Sequence, residues 1–368
     1  MGFLKKGTES ILFIIPNKGI SIDLLLSNIK LSETPIYFQF QFLDAEFISH
    51  LNIFEDSIFF LNIDIIGNLA QSGNWFKDLK EDHIILDKIL KSSKNIQSTL
   101  AVNLDLYQNA GATITQQLAY ALAHANEYLN HFGKEITNTI TFNVSVGTNY
   151  FFEIAKLRAL RKLWQVLAFE YNIKTECHIS TTPTKRNKTL YDYNVNLLRT
   201  TTECMSAILG GSDTIGNLAY DSIYHKTNEF GERIARNQLL VLKHEGYFDK
   251  VNNPADGAYY IETLTDQLAD NALKLFKEIE ENGGFLKQLK EGTIQRKIKE
   301  SADKEQNQFD NELEILVGTN KYPNPQDKMK DDLELYPFVK TKKRKTLIQP
   351  IIAYRLSEQI EQKRLKEE

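Results

Sequence analysis

The chain has 368 residues, of which 42% are hydrophobic and 25% charged, and its formal net charge at pH 7 is -4. This balance is typical of a soluble globular protein and argues against a nucleic-acid partner. Two cysteines, Cys177 and Cys204, are too few for a disulfide framework or a zinc motif. The longest early apolar run, Ile11–Ile15, is too short for a signal peptide or a membrane span, so we expect a cytoplasmic protein without a membrane partner.

Short runs of branched and aromatic residues alternate with helical patterns through the first 265 residues. The strand-like runs are 10–15, 35–42, 57–66, 98–106, 139–146, 176–181, 207–215 and 257–265, and helical patterns cover 114–130, 151–171, 193–207 and 229–245. This alternation predicts parallel strands joined by helical crossovers. Eight such units predict an α/β fold of the (β/α)8 TIM-barrel type, with a doubly wound open sheet as the alternative.

The pattern changes after residue 265. Residues 266–310 have the periodicity of amphipathic helices with a break at Gly283-Gly284, and residues 318–345 are rich in turns and charges. We therefore predict a barrel over 1–265, a C-terminal helical extension packed on the barrel over 266–325, and a charged C-terminal tail over 326–368. The basic run KTKKRK at 340–345 is typical of a solvated surface.

Two segments have the composition of anion-binding sites. Gly111 precedes a helix that Thr113 or Asn109 can cap, and the amide groups at such a helix start can bind a phosphate or a carboxylate. The loop after the sixth predicted strand carries Lys185, Arg186 and Lys188, which can hold a phosphate. A structural turn and a solvent-exposed basic loop are the plainer alternatives, and neither segment contains a catalytic triad or a metal motif.

Several stretches together resemble one family. NAGATITQQLAYALAHANEYL (109–129), VGTNYFFEIAKLRALRKLW (146–164), LLRTTTECMSAILGGSDTI (197–215), DKVNNPADGAYYIETLTDQLAD (249–270) and GTNKYPNP (318–325) are similar to the barrel domain of the cobalamin-dependent methylmalonyl-CoA mutases. The similarity runs in order over about residues 60–325 and is greatest to the small subunit of two-chain bacterial enzymes. The resemblance implies a barrel along whose axis catalytic chains bind acyl-CoA, and a radical reaction that interconverts methylmalonyl-CoA and succinyl-CoA with adenosylcobalamin.

The chain departs from the family pattern at three predicted strand ends. Asp105 and Leu106 stand where catalytic chains of the family carry a Tyr-His pair before the Ala-Gly-Ala turn. Arg-Thr-His-Ser-Gln of the family corresponds here to HISTT (178–182), and Gly-Gly-Thr-Gln-Ser-Leu-His corresponds to GGSDTIG (210–216). The remaining polar candidates for substrate binding are Gln108, Asn109, Asn149, Thr182 and Ser212. We predict no catalytic, cofactor-binding or metal-binding residue.

These departures lead to three hypotheses. The first is a non-catalytic small subunit that binds a large catalytic methylmalonyl-CoA mutase subunit in a heterodimer. The cobalt-ligating Asp-x-His-x-x-Gly motif is not found in the sequence, so adenosylcobalamin is expected on the partner and no cofactor on this chain. The second is the substrate-binding half of a split cobalamin-dependent acyl-CoA mutase, and the third is a stable barrel without a partner.

Overall fold

A computed structural model describes residues 4–93, 96–174, 176–340 and 344–368. Seven parallel strands form one sheet in the order of the chain. The strands are β1 Ile11–Ile15, β2 Ile36–Phe40, β3 Phe59–Ile63, β4 Ser98–Asn103, β5 Thr141–Val146, β6 His178–Pro183 and β7 Thr214–Ile215. Each overlaps one of the branched and aromatic runs, because these side chains pack well on a sheet that is covered by helices.

Helices connect the strands and continue after the sheet. They are α1 Ile22–Leu26, α2 Ala45–Ser49, α3 Ile65–Ser72, α4 Leu79–Ser92, α5 Asp105–Asn109, α6 Ile114–Phe132, α7 Tyr150–Glu170, α8 Val195–Leu209, α9 Glu229–His244, α10 Tyr259–Glu281, α11 Phe285–Lys290, α12 Thr293–Asp310 and α13 Glu358–Glu367. Side-chain caps fix many of the helix starts; Thr113 and Gln116 form a capping box on α6, as the sequence predicted for Thr113. Among the described ranges, no helix has the length and hydropathy needed to cross a bilayer.

The sheet is strongly curled. The hydroxyl of Tyr37 on β2 lies 2.9 Å from Nε2 of His178 on β6. In a flat sheet, strands four places apart would be separated by about 19 Å, at about 4.8 Å per strand. The inner faces of β2 and β6 therefore look at each other across an enclosed interior, as in a half-barrel, while β1 and β7 form no ladder with each other among the described residues.

The prediction of an eighth strand is wrong. Residues 257–265 contain three aromatic or branched side chains in a row, Tyr259 to Ile261, yet α10 starts at Tyr259. Tyr259 and Tyr260 are exposed, whereas Ile261, Leu264 and Leu268 are buried. This spacing of three and four residues is that of a helix, and it continues beyond the short predicted strand. A closed ring of eight strands is thus not formed by this segment.

The C-terminal residues are not a solvated tail throughout. Ile348 and Ile351 are buried in the main core, and the backbone N–H of Ile351 donates to the carbonyl of Ala70 at 2.8 Å. Further along, Arg355 is buried and donates to the carbonyl of Lys188 at 2.9 Å. Parts of residues 344–368 therefore contact α3, which follows β3, and the loop that follows β6. In the predicted basic run, residues 341–343 lie outside the described residues.

Candidate functional site

A cleft of about 1800 Å³ occupies the interior of the curled sheet, and residues of both β1 and β7 line it. Its walls are the inward side chains of the strands, the loop after β7 and one face of α9. Ligand sites of parallel α/β folds lie at the carboxyl ends of the strands, and this cleft includes Asp105, Thr182 and Gly216 at three such ends. The cleft is therefore the place where this fold would bind a small molecule.

Aromatic side chains close the interior near the amino ends of the strands. The rings of Tyr37 and Phe60 stack with centroids 4.5 Å apart, and the Phe60 ring lies 4.4 Å from the imidazole of His178. Tyr37 also hydrogen-bonds to Thr214. Burial raises the pKa of Tyr37 to about 12 and lowers the pKa of His178. Both groups are consequently neutral at pH 7, so this aromatic floor offers no charge to a ligand.

Above the floor, four neighbouring strands each carry an inward carboxamide. We call Gln39, Asn62, Asn103 and Asn143 the carboxamide layer; all four line the cleft. Asn103 and Asn143 are paired in the sheet register, and the Asn143 amide donates to the Asn103 amide oxygen at 2.8 Å. Asn62 has a φ of 44°, which non-glycine residues rarely adopt, and its Oδ1 is buried with no hydrogen-bond partner in the part of the chain described.

Asp105 lies directly above the carboxamide layer, at the first position of α5. Its Oδ1 is buried and accepts no hydrogen bond from the described residues. Burial raises the pKa of this carboxyl to about 6, and the neighbouring Asp64 carboxylate contributes to the increase. The next residue, Leu106, is buried in the main hydrophobic core. At the end of β4, the half-buried carboxyl of Asp105 therefore faces the cleft, whereas the side chain of Leu106 points into the protein.

The cleft as a whole has an acidic lining. Seven Asp or Glu side chains contribute to its walls, against three Lys or Arg side chains. Three of these acids pair with basic side chains outside the lining, Glu33 with Lys30, Asp213 with Arg161 and Asp249 with Lys250, so the net negative charge around the cleft is small. No group of three His, Cys, Asp or Glu side chains suited to a metal ion occurs within the described residues.

Two of the predicted strand-end candidates line this cleft. Thr182 is exposed near the end of β6, and Ser212 stands at the loop before β7. The hydroxyl of Ser212 accepts a hydrogen bond from Thr181 at 3.1 Å, whereas Thr182 keeps its hydroxyl available on the cleft wall. These two side chains are thus placed where a ligand in the cleft could meet them.

Gln108 lies elsewhere, in a buried polar network behind the sheet. Its amide oxygen accepts from the ammonium of Lys156 at 3.0 Å, and its amide nitrogen lies 3.4 Å from Glu153. Lys156 is fully buried and forms an ion pair with Glu153, although burial lowers its pKa. The hydrogen bonds of Gln108 are consequently used to satisfy a buried charge.

Asn109 and Asn149 are also separate from the cleft lining. Asn109 links two loops, because its amide oxygen accepts from the Thr184 hydroxyl at 2.9 Å and its amide nitrogen donates to Ser145 at 3.1 Å. Asn149 is exposed at the start of α7 and makes no side-chain cap to the helix. Three of the five candidates are therefore not brought together with Thr182 and Ser212.

Protein groups contact parts of both predicted anion sites. Arg186 pairs with Glu305 at 2.7 Å, and the buried Lys188 pairs with the buried Glu203 at the same distance. At the start of α6, Gly111 packs against α12, and the Ser301 hydroxyl donates to its carbonyl at 2.9 Å. Carboxylates therefore engage two of the three basic residues of the loop, whereas Lys185 is exposed.

The carboxamide layer is the feature of the cleft that the sequence analysis missed. A signal for it exists, because the runs IYFQF, FFLNI, STLAVN and TFNVSV each place one amide among apolar residues. Such an amide inside a buried strand must face either a partner or a cavity. The strand register that aligns the four amides is visible only in the folded chain.

Comparison with known proteins gives a consistent result. The family described as methylmalonyl-CoA mutase matches residues 60–367. The methylmalonyl-CoA mutase small subunit of Porphyromonas gingivalis is 44% identical over 61% of this chain and 38% of its own length. A methylmalonyl-CoA mutase of Rhizobium meliloti is 35% identical over 65% of this chain and 35% of its own length. The methylmalonyl-CoA mutase large subunit of Porphyromonas gingivalis is 31% identical over 68% of this chain and 37% of its own length. The matched part of the chain thus spans less than half the length of each of these relatives.

Proposed function

Because this chain belongs to the methylmalonyl-CoA mutase family, we propose that it is a non-catalytic small subunit that binds and stabilises a large catalytic subunit. The complex would interconvert methylmalonyl-CoA and succinyl-CoA. The names of the two Porphyromonas gingivalis relatives, a small and a large subunit from one organism, support a two-chain arrangement. In this proposal the curled sheet is a variant of the family's (β/α)8 barrel that contributes a surface and a framework rather than a reaction centre.

The acidic cleft is the observation that carries the proposal. A CoA thioester bears several phosphate charges, and the methylmalonyl and succinyl groups each add a carboxylate. Seven acidic and three basic residues line the cleft, and Lys30, Arg161 and Lys250 pair with three of the acids, so the cleft offers such a ligand no excess of positive charge. The resemblance implies a tyrosine and a histidine at the end of the fourth strand of catalytic chains, whereas here Asp105 faces the cleft and Leu106 is buried in the core.

The aromatic floor gives independent support. Family members that bind acyl-CoA along the barrel axis need an open interior. Here Tyr37, Phe60 and His178 meet across it at ring-centroid distances of 4.4 to 5.8 Å. Each buried aromatic side chain covers about 150–250 Å² of surface, so removing these three rings would leave a cavity.

The cleft residues do not fit the cobalamin cofactor of the family either. Family members ligate cobalt through a histidine. His225 is the histidine among the described cleft-lining residues, and its Nδ1 lies 3.2 Å from the Asp221 carboxylate. We therefore propose that adenosylcobalamin is bound by the large subunit and that this chain binds none.

Co-expression with a large methylmalonyl-CoA mutase subunit tests the proposal. The two chains should elute together at equal stoichiometry, and the large subunit should lose activity more slowly on heating than it does alone. The purified small chain with adenosylcobalamin and methylmalonyl-CoA should show no turnover. Separate elution would refute the partnership, and turnover by the isolated chain would refute the non-catalytic role.

One observation favours the second hypothesis, a substrate-binding half of a split acyl-CoA mutase. The cleft of about 1800 Å³ is larger than a typical small-molecule pocket of about 300–1,000 Å³. This alternative requires the isolated chain to bind a CoA thioester, which the acidic lining disfavours. Calorimetric titration with the thioester therefore separates the two hypotheses.

A further inference from the structure

One level of the inner wall of the cleft consists of uncharged polar side chains. Four neighbouring strands each place one amide or hydroxyl at the same height, because the sheet register aligns them. We call these residues the polar row; they are Asn103, Asn143, Ser180 and Thr214, on β4 to β7, and all four line the cleft. Branched apolar residues ordinarily fill the interior of a parallel barrel. A polar level in this position therefore indicates contact with water or with a polar ligand.

Gln39 faces the polar row from the opposite wall. The hydroxyl of Tyr37 lies 2.9 Å from Nε2 of His178, so the two walls meet at that level. Gln39 and Ser180 follow these two residues by two positions each, which places them on the same inner face, one step nearer the carboxyl ends of the strands. Glutamine and serine are together shorter than tyrosine and histidine, so a space remains between the walls, and both residues line it.

Many of the hydrogen-bonding groups at this level are not used inside the protein. The side chains of Gln39, Ser180 and Thr182 line the cleft and form no hydrogen bond with the residues that the structure describes. Gln39 and Thr182 are exposed, so a molecule in the cleft can reach them. The Asn143 amide donates to the Asn103 oxygen at 2.8 Å, which leaves the Asn143 oxygen and the Asn103 amide nitrogen for other partners. Donors and acceptors are thus both offered.

The strands contribute no charge to the cleft and add an apolar contact beside the polar groups. Every described residue that a strand contributes to the lining is uncharged, and the charged residues of the lining lie in helices and loops. On the edge strand β1, Leu12 pairs with Tyr37 in the register, lines the cleft and is 54% exposed. The wall therefore combines uncharged donors and acceptors with an exposed alkyl side chain.

From this arrangement we infer that the inner wall binds a neutral cyclic polyol, a ligand of the monosaccharide class. The hydroxyl groups around a sugar ring donate and accept hydrogen bonds, as the amides and hydroxyls of the wall do. The apolar C–H faces of the ring match the exposed side chain of Leu12. A carboxylate on the same ring would lose hydration at this wall and meet no opposite charge, which is unfavourable inside a cavity.

Ligand-observed NMR titrations of the isolated chain with glucose, galactose and mannose test the inference. We expect at least one of these sugars to bind saturably, with a Kd below about 10 mM. The corresponding uronate keeps the ring and adds a carboxylate, and cyclohexanol keeps a six-membered ring but only one hydroxyl. Both should bind at least about tenfold more weakly than the sugar.

Two substitutions in the wall locate the site. Gln39→Leu and Thr182→Val each remove one neutral hydrogen-bonding group from an exposed position, so each should weaken sugar binding about threefold to tenfold. Gln97→Leu is the matched control, because Gln97 is exposed just before β4 and lies outside the cleft lining. That variant should bind within about twofold of the original chain. Circular dichroism establishes that the variants are folded.

Three results would overturn the inference. The first is that none of the three sugars binds saturably. The second is that the uronate or cyclohexanol binds as tightly as the sugar. The third is that folded Gln39→Leu and Thr182→Val bind the sugar no more weakly than Gln97→Leu. Because the isolated chain is used, the outcome does not depend on whether a large subunit binds it.

Discussion

Replacing Asp105 by asparagine should stabilise the protein at neutral pH. Burial raises the pKa of Asp105 from 3.8 to about 6. Because one pKa unit corresponds to about 1.4 kcal/mol, ionised Asp105 costs at most about 3 kcal/mol of folding free energy. Asp105 remains partly open to the cleft, where water screens the charge, so we expect a gain of about 1–2 kcal/mol for Asp105→Asn at pH 7.5.

The pH dependence gives this prediction its sign. The pKa of Asp105 is higher in the folded state than in the unfolded state, so the folded protein gains a proton first as the pH falls. The cost of ionised Asp105 is therefore fully present above about pH 6, decreases between about pH 6 and 4, and is absent below about pH 4. The advantage of Asp105→Asn should follow the same course.

Urea unfolding followed by circular dichroism at pH 7.5, 6, 5 and 4 measures the difference between the two proteins. Other carboxyl groups titrate in both proteins and cancel in that difference. Glu33→Gln serves as the matched control, because Glu33 is exposed and its loss should change stability by less than about 0.5 kcal/mol. Two results would refute the conclusion that ionised Asp105 destabilises the fold. One is a stability difference between the two proteins that stays constant over this pH range, and the other is an Asp105→Asn variant that is less stable than the original chain.

Two further predictions concern the framework around the cleft. Lys156→Met should lower the free energy of unfolding by about 3–5 kcal/mol, because it leaves Glu153 buried without its partner, and adding Glu153→Gln should restore part of the loss. Urea unfolding measures both changes. An unchanged urea midpoint for Lys156→Met would contradict the buried ion pair. Gly111→Ala should lower the free energy of unfolding by about 2–4 kcal/mol, since Gly111 has a φ of 97° and an added Cβ would lie 2.5 Å from the Cβ of Ala302. Gly257→Ala is its control, with a φ of 74° and no atom within 4 Å, and equal losses in the two glycine variants would show that the contact with α12 is not tight.

The strands and long helices of this fold are predictable from local sequence. Runs such as TFNVSV and the helical spacing of 114–130 specify an element within a few residues, because the packing face repeats along the segment. For the segment 257–265 this method gives the wrong element, because its aromatic residues favour a strand. The helix is indicated only by the spacing of the apolar residues Leu264 and Leu268. Similarly, β7 has two residues because α8 extends to Leu209, into the predicted strand.

The candidate site was harder to predict, since its properties come from distant residues. A basic loop looks available for an anion until Glu305 is known to pair with Arg186, which lies 119 residues earlier. Gln108 follows a predicted strand and resembles a cleft residue, yet Lys156 holds it in a buried network. Sequence identifies Asp105 as a departure from the family pattern, but the orientation of its side chain toward the cleft depends on the curl of the whole sheet.

The binding of a CoA thioester by the isolated chain is the most direct test of the central claim that the cleft is not a mutase active site. Methylmalonyl-CoA should be titrated calorimetrically into the purified chain, with a large catalytic subunit titrated in parallel as the positive control. We predict no saturable heat for this chain at ligand concentrations that saturate the large subunit. Stoichiometric binding of the thioester to this chain, weakened by substitutions at Thr182 or Ser212 on the cleft wall, would contradict the account.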